Sequence, residues 1–317
     1  MYHPCCPFCK SPKTIKHGGG RWICKRLKCG HTFTLKNKSV RNRAAITGYV
    51  LDRTTYERLG KRWNVHRSTA YRRVRSALIK RYSLLERTKR NISACDGICI
   101  LDGKTIYIHR QIFTLFVAWD RGLKKPIHFL LKEGGEKELW YWRLLLDLKR
   151  VGYVAKAFVS DGAYSIKELL EGAYAGLPHQ RCTVHVFLAA RSKVTSAYGS
   201  TNERAQDFIA LVRLILWSRT LAEAKRRLEK LVDMPQLKRG EYEALKMIYR
   251  ALPQCFVCRD LKWRKLHLPR SSNAIENVMG QIEARLKTRR GTKSKNALEL
   301  LTNEILLQAS EQKITHN

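Results

Sequence analysis

The sequence is short of acidic residues and of long apolar runs. Its 317 residues contain 26 Asp and Glu against 62 Lys and Arg, which gives a formal net charge of +36. Self-repulsion on that scale opposes compaction unless a polyanion is the normal partner, so nucleic-acid binding is favoured over a merely soluble basic protein. No apolar run reaches the ~18 residues that a membrane span needs, and the N-terminus lacks the apolar core of a signal peptide. We expect an intracellular protein without membrane contact.

Ten cysteines are present, although structural disulfides are rare inside cells. The stretches "CCPFC" and "CKRLKC" supply two cysteine pairs that can close a tetrahedral thiolate site. Residues 1–36 are too few to build a core unaided, so we predict a zinc ribbon in which structural Zn²⁺ supplies folding energy. The second pair has a longer spacing than usual, which keeps His31 and Cys5 as alternative ligands. The preferred set is Cys6, Cys9, Cys24 and Cys29.

A helix-turn-helix is predicted within residues 37–92. Tyr56, Leu59 and Trp63 form one helical stripe, and Val74 and Leu78 continue the apolar spacing after a turn. The second helix would present side chains suited to phosphates and base edges in a major groove. An ordinary basic helical hairpin is the alternative. The DNA-binding candidates here are Arg67, Ser68, Thr69, Arg72 and Arg73.

From residue 93 the apolar period changes to that of strands. Three β-rich runs separated by polar turns are followed by a helix, a short buried strand in "AKAFVSDG", a helix and a strand in "HQRCTVHVF". This order predicts an α/β fold with a mixed sheet. Residues 188–265 have helical patterning with charged outer faces. After them come a helix in "AIENVMGQIEARLKT", a basic loop "RRGTKSK" and a closing amphipathic helix.

Three carboxylates stand where the predicted elements could bring them together. Asp102 lies inside the first strand, where an ionised side chain is costly unless it is paired or bound to a cation. Asp161 ends the fourth strand, which should neighbour the first, and Glu276 lies on the shoulder of a helix. Such a group could hold two divalent cations for phosphodiester chemistry, and its hard oxygen ligands favour Mg²⁺ or Mn²⁺. A turn residue at Asp102 and a helix cap at Asp161 are the plainer alternatives.

The stretches "ILDGKTI", "FVSDGAYSIKELL" with "QRCTVH", and "LPRSSNAIEN" followed by "RLKTRRG" resemble Mutator-type transposases and their bacterial insertion-sequence relatives. The resemblance covers about residues 95–305, and a zinc ribbon with a helix-turn-helix in front is similar to one branch of these relatives. It implies a ribonuclease-H-like catalytic core at 93–187 and 266–317, interrupted by an all-helical insertion at 188–265. Carried over by motif, the catalytic residues are Asp102, Asp161 and Glu276.

The resemblance also implies a metal-dependent transposase that binds the terminal repeats of its element and target DNA, as a homo-oligomer on DNA in the cytoplasm (nucleoid-associated). Cys182 and His185 match the C-x2-H signature of the family; support of the active site is favoured over direct metal binding or simple packing. Further contacts to DNA are expected from the basic loop. These candidates are Arg289, Arg290, Lys293 and Lys295.

Several alternatives remain open at this stage. Glu283 is the rival for the third carboxylate, and Asp120 is interpreted as a hairpin residue. The pairs Cys95 with Cys99 and Cys255 with Cys258 are expected to be buried thiols. A transcription regulator with a dead catalytic domain would have lost a carboxylate, but all three are present. A stand-alone structure-selective nuclease would not need two DNA-reading modules at its front end.

Overall fold

The computed structural model describes residues 4–18, 21–34, 49–50, 54–108, 110–233, 237–287 and 294–311. The chain divides into two compact units, one ending at Lys80 and the other beginning at Arg81. The division falls before residue 92, where the sequence placed the end of the helix-turn-helix segment. Within the part of the chain that the structure describes, no helix is long and apolar enough to cross a membrane.

The first unit begins with a small antiparallel sheet, in which Thr14 pairs with Cys24 and Trp22 with Phe33. The centre of this sheet is formed by Cys6, Cys24 and Phe33, with Trp22 packed against them. Apolar side chains are so few that cysteines make up much of the core. The strands, in the order β1-β2-β3, are β1 (Thr14–His17), β2 (Arg21–Cys24) and β3 (Thr32–Thr34).

Two helices follow in the first unit, α1 (Tyr56–Arg62) and α2 (Arg67–Ile79). Thr55 caps α1 through its side chain, and His66 caps α2 in the same way. A Cβ on Gly60 would stand 2.7 Å from the carbonyl oxygen of Val65, so α1 approaches the intervening turn closely. The two helices therefore occupy the place predicted from the apolar spacing, with Leu59, Val74 and Leu78 buried.

The second unit contains a five-stranded mixed sheet in the order β6-β5-β4-β7-β8. The first three strands form an antiparallel meander, whereas β7 runs parallel to β4 and β8 runs parallel to β7. The prediction of an α/β fold with a mixed sheet is thus confirmed. The strands are β4 (Ile98–Ile108), β5 (Gln111–Asp120), β6 (Lys125–Glu133), β7 (Ala157–Ser160) and β8 (His179–Arg181).

Helix α3 (Leu84–Arg90) belongs to this second unit. The Thr88 hydroxyl donates a hydrogen bond of 2.6 Å to the carbonyl of Ile127 on β6, and the backbone N–H of Leu84 donates to the Asn303 side chain. These long-range contacts explain why the first unit ends before α3.

Five further helices border the sheet or lead away from it: α4 (Glu138–Arg150), α5 (Tyr164–Ala173), α6 (Thr183–Tyr198), α10 (Asn273–Lys287) and α11 (Lys295–Glu311). Side chains of α4 and α5 form one hydrophobic core with β4 and β5, with Leu101, Phe116, Tyr141 and Ile166 among its members. Helix α10 contacts β4, and α11 contacts β6.

The strand predicted in "HQRCTVHVF" ends early, at Arg181, and this prediction was wrong for Cys182 and His185. Cys182 is the N-terminal cap of α6, and His185 lies in its first turn. The buried stripe Val186, Ala190 and Val194 has helical spacing and packs in the core of the all-helical segment. That segment therefore starts at α6 rather than at residue 188. Its other helices are α7 (Glu203–Leu216), α8 (Leu221–Val232) and α9 (Arg239–Cys255).

Candidate active site and metal-binding clusters

Asp102 lies on β4 with only 7% of its surface exposed. Its neighbours Ile100, Leu101 and Ile106 are buried apolar residues. The backbone N–H of Gly103 donates a hydrogen bond of 3.0 Å to Oδ1 of the carboxylate. A buried carboxylate with this little compensation is costly to ionise, which sets it apart from an ordinary strand residue.

Asp161 follows β7 directly. The parallel pairing of β4 with β7 ends at Ile100 and Val159, and the same register continued along both strands would bring Asp102 level with Asp161. Oδ1 of Asp161 accepts a hydrogen bond of 2.9 Å from the N–H of Ala163. Gly162 has φ +76°, and the Arg181 side chain fills the space where a Cβ would stand. The chain thus turns sharply beside β4 and leaves Asp161 at the end of the sheet.

Glu276 lies in the first turn of α10. The apolar stripe predicted for this helix is buried, and the helix contacts β4. The stripe consists of Ile275, Val278, Met279, Ile282 and Leu286. Oε1 of Glu276 is buried and has no hydrogen-bond donor among the described residues. It lies 3.7 Å from Nε2 of His185. A buried carboxylate oxygen without a donor is what a cation would satisfy.

The three carboxylates are close enough to influence each other electrostatically. Burial is the largest cause that raises the pKa of Asp102; the negative charges of Asp161 and Glu276 also raise it, His185 opposes them, and the resulting pKa is about 7. Among the described residues, however, their oxygens do not form a group within 4.8 Å of one another. The structure therefore brings the three to one region without closing them into a coordination sphere.

Cys182, His185 and Glu276 do form such a group, with one ligand atom of each within 4.8 Å of the others. The backbone N–H of Ser272 lies 3.4 Å from the Cys182 sulfur, and the Ser272 hydroxyl lies 3.3 Å from Nδ1 of His185. Hydrogen bonding to Cys182, helped by the charges of Asp102 and Glu276 and opposed by burial, raises the pKa of His185 to about 9. His185 thus connects the first turn of α6 to Ser272, the residue that precedes α10.

The two rival carboxylates have other partners. Oε2 of Glu283 lies 2.5 Å from Nζ of Lys104 in an ion pair between α10 and β4. Asp120 is fully buried and accepts hydrogen bonds from the N–H groups of Asp96, Gly97 and Leu123 and from the Tyr153 hydroxyl. The bond from Leu123 lies within the turn between β5 and β6, in agreement with the interpretation of Asp120 as a hairpin residue, and the others join Asp120 to the residues before β4 and to Tyr153.

The four cysteines of the first unit form the other group of possible metal ligands among the described residues. The sulfur atoms of Cys6 and Cys29 lie 3.7 Å apart, and those of Cys9 and Cys24 lie 3.5 Å apart. A backbone hydrogen bond from His31 lowers the pKa of Cys29, but burial and the other three thiols outweigh it and raise that pKa to about 12. Four thiols this close cannot all ionise without a cation, which fits a tetrahedral Zn²⁺ site.

The alternative zinc ligands lie outside this group. Cys5 is exposed. Nδ1 of His31 is 3.3 Å from the Cys29 sulfur, but its ring is exposed and stacks on Phe8. In the second unit, Cys99 and Cys255 are buried, whereas Cys95 and Cys258 are only half-buried.

The candidate DNA-binding residues on α2 lie on its solvent face. Arg67, Ser68, Arg72 and Arg73 are exposed, and Thr69 is half-buried. Lys295 is exposed at the start of α11. The remaining candidates, Arg289, Arg290 and Lys293, lie outside the described residues.

Sequence reasoning missed a carboxylate near Asp102. The Tyr141 hydroxyl donates a hydrogen bond of 2.9 Å to Oε1 of Glu136, and both side chains lie against Gly103. The pattern around Glu136, two glycines followed by a helix, indicates only a turn. The proximity depends on how α4 packs on the sheet.

Comparison with known proteins places the chain in a family. Residues 106–314 match the family described as Transposase, Mutator family. The chain belongs to the Mutator family of transposases and is therefore a DNA-processing enzyme by family. Asp161 and Glu276 lie within the matched region, and Asp102 lies just before it.

Two solved structures are similar to parts of the chain. One is described as a pre-cleavage Mos1 transpososome, with 15% identity, a TM-score of 0.22 and coverage of 74% of this chain and 78% of the other. Another is the Mos1 mariner paired end complex with Mn, with 14% identity, a TM-score of 0.21 and coverage of 70% and 78%. These scores are too low to establish a shared fold. No curated protein matches the chain.

Proposed function

We propose that this transposase is of the DDE type, with Asp102, Asp161 and Glu276 as its catalytic carboxylates. The observation that carries the proposal is the buried Asp102, whose pKa is raised first by its burial and then by the charges of Asp161 and Glu276. These residues come from a central strand, from the end of the strand beside it and from a helix that contacts β4. The meander followed by two parallel strands, with helices between them, supports a ribonuclease-H-like core interrupted by the helical segment.

The donor set fits a divalent cation. Its ligands are carboxylate oxygens, which favour Mg²⁺ or Mn²⁺. The buried Oε1 of Glu276 has no hydrogen-bond donor among the described residues, as expected for a ligand position. When bound, the cations would activate the attacking oxygen and stabilise the leaving oxygen. Water would first hydrolyse a phosphodiester at the end of the element, and the released 3′ hydroxyl would then attack target DNA.

Cys182 and His185 are proposed to position this site. Through Ser272 they connect the start of α6 to the start of α10, and His185 faces Oε1 of Glu276. Side chains that orient metal-binding carboxylates in this way are commonly needed for activity. His185 is therefore expected to act through Glu276 rather than as a ligand itself.

Binding of double-stranded DNA is proposed for both units. Helix α2 carries four arginines and no acidic residue, and its exposed residues suit recognition of terminal repeats as the second helix of a helix-turn-helix. Lys295 and the basic loop before it would bind phosphates without sequence preference. Because two ends of an element must be joined to one target, a homo-oligomer on DNA is proposed, acting in the cytoplasm on the nucleoid.

The four-cysteine cluster is proposed to hold one structural Zn²⁺. The three short strands bury few apolar side chains, so metal binding would supply much of the folding energy of this segment. A zinc ribbon in front of α1 and α2 would give the first unit its two proposed DNA-reading modules.

The function is tested by incubating the full chain and Mg²⁺ with DNA that carries the sequences flanking its gene, together with a target plasmid. A transposase of the proposed type cuts at those ends and joins the 3′ hydroxyl to the target. Binding of the ends without cleavage would indicate a regulator. Cleavage that depends on DNA structure and ignores the ends, without joining, would indicate a stand-alone nuclease.

A further inference from the structure

We propose that Glu136 is a fourth carboxylate of the catalytic cleft, held there by Tyr141, and that this pair sets the affinity of the site for its divalent cation. The inference rests on the proposed function. It assigns to two residues outside the Asp102, Asp161 and Glu276 set a positioning role in the same reaction.

Tyr141 is fixed in one place by its surroundings. Its side chain is fully buried, and its ring meets that of Phe116 edge-on with centroids 4.8 Å apart. The hydroxyl therefore cannot follow Glu136 if that side chain moves. Since the hydroxyl donates to Oε1 at 2.9 Å, it holds the carboxylate of an otherwise exposed residue in a defined position.

That position borders Gly103, the residue that follows Asp102. A Cβ built on Gly103 would overlap the Tyr141 hydroxyl and would stand 3.3 Å from Cδ of Glu136. Gly103 follows Asp102 directly and donates its N–H to the Asp102 carboxylate. The absence of a side chain at residue 103 is thus what lets Tyr141 and Glu136 approach the backbone beside the buried carboxylate.

Strand β7 pairs with only the first part of β4 in the part of the chain that the structure describes. The pairing of β4 with β7 ends at Ile100 and Val159, so Asp102 and Gly103 extend past the last residues of β4 that pair with β7 and are paired only with β5 among the described strands. Burial raises the pKa of Tyr141 well above its usual value, and the charges of Glu136, Asp161 and Asp102 raise it further. The negative charges of Glu136, Asp161 and Asp102 are thus all close enough to the Tyr141 hydroxyl to raise its pKa.

Glu136 is exposed, so water and a hydrated cation can reach it. A carboxylate beside Gly103, the residue after Asp102, adds negative potential there and can accept a hydrogen bond from water on the cation. Such outer contacts typically change metal affinity by roughly 10- to 100-fold. A purely structural Tyr141–Glu136 hydrogen bond would stabilise α4 and leave cation binding unchanged.

The test compares Glu136→Gln and Tyr141→Phe with Glu138→Gln, an exposed glutamate in the first turn of α4. The Mg²⁺ concentration for half-maximal cleavage should rise ~10-fold in Glu136→Gln, with the maximal rate recovered at high Mg²⁺. Tyr141→Phe should shift it in the same direction by less, and Glu138→Gln should leave it unchanged. An unchanged Mg²⁺ dependence in Glu136→Gln, with or without a lower melting temperature, overturns the inference.

Calorimetry with Mn²⁺ on the full chain separates this inference from the proposed function. Glu136→Gln should weaken Mn²⁺ binding even if no cleavage is found for the wild type, in which case the DDE mechanism fails and the fourth carboxylate stands. If Asp102→Asn weakens Mn²⁺ binding and Glu136→Gln does not, the proposed site stands and the fourth carboxylate fails.

Discussion

Replacing Asp102 by asparagine should stabilise the protein, and increasingly so as the pH rises. The pKa of Asp102 is about 7 in the folded chain, against an ordinary value of 3.8. Between these values the unfolded chain loses the proton while the folded chain keeps it, so stability falls as the pH rises and the loss is complete above about pH 7. Asparagine has no proton to lose. The free energy of unfolding of Asp102→Asn, relative to that of the wild type, should therefore increase by roughly 2–3 kcal/mol from pH 5 to pH 8.

The assay is denaturant unfolding of the full chain with Zn²⁺ but without Mg²⁺, followed by tryptophan fluorescence at pH 5 and pH 8. Asp207→Asn, which removes an exposed carboxylate on α7, serves as the control and should show no such growth. Adding Mg²⁺ at pH 8 should stabilise the wild type and not Asp102→Asn, because a ligand that binds only the folded state shifts the equilibrium toward it. An advantage of Asp102→Asn that is the same at both pH values would refute the reasoning.

The remaining predictions concern zinc, DNA and His185. Metal analysis of the purified chain should find about one Zn²⁺, and Cys24→Ser should release it and unfold the first sheet; a sheet that stays folded without metal would contradict the zinc site. Replacing Arg72 and Arg73 by alanine should weaken binding to element ends more than to random duplexes, whereas Lys295→Ala should weaken both and flatten the salt dependence; equal loss from the arginine change would count against recognition by α2. His185→Asn should lower activity and melting temperature together, and loss of metal affinity at an unchanged melting temperature would instead make His185 a ligand.

The element order could be predicted because the apolar pattern changes period where the fold changes. In the runs at Ile98–Ile108 and Gln111–Asp120, apolar and polar residues alternate little, which favours buried strands. The apolar stripe that begins at Ile275 has helical spacing. Boundaries set by distant contacts could not be predicted. Val184 and Val186 alternate with polar residues, which is the pattern of a strand. The structure instead starts a helix there, and the N–H of Thr183 donates a hydrogen bond to the carbonyl of Arg270, a residue that follows the helical segment in sequence.

Candidate site residues could be proposed where a carboxylate follows or interrupts a buried run, as at Asp102 and Asp161. The hydrogen bonds and packing contacts around these carboxylates could not be predicted from the sequence. Asp120 stands in the same kind of context, yet its carboxylate accepts hydrogen bonds from Leu123 in its own turn, from Asp96 and Gly97 before β4, and from Tyr153. Nothing in the stretch around Glu136 indicates that its carboxylate lies beside Gly103, because this depends on the packing of α4 across the sheet.

Cleavage by single carboxylate variants tests the central claim most directly. Asp102→Asn, Asp161→Asn and Glu276→Gln should each abolish end cleavage and strand transfer in Mg²⁺ while binding of the ends is retained, because none of them adds negative charge to the DNA-binding surface. Glu283→Gln, which removes the charge that pairs with Lys104, should keep activity. Full activity of Glu276→Gln with loss in Glu283→Gln would move the third carboxylate, and full activity of Asp161→Asn would contradict the mechanism.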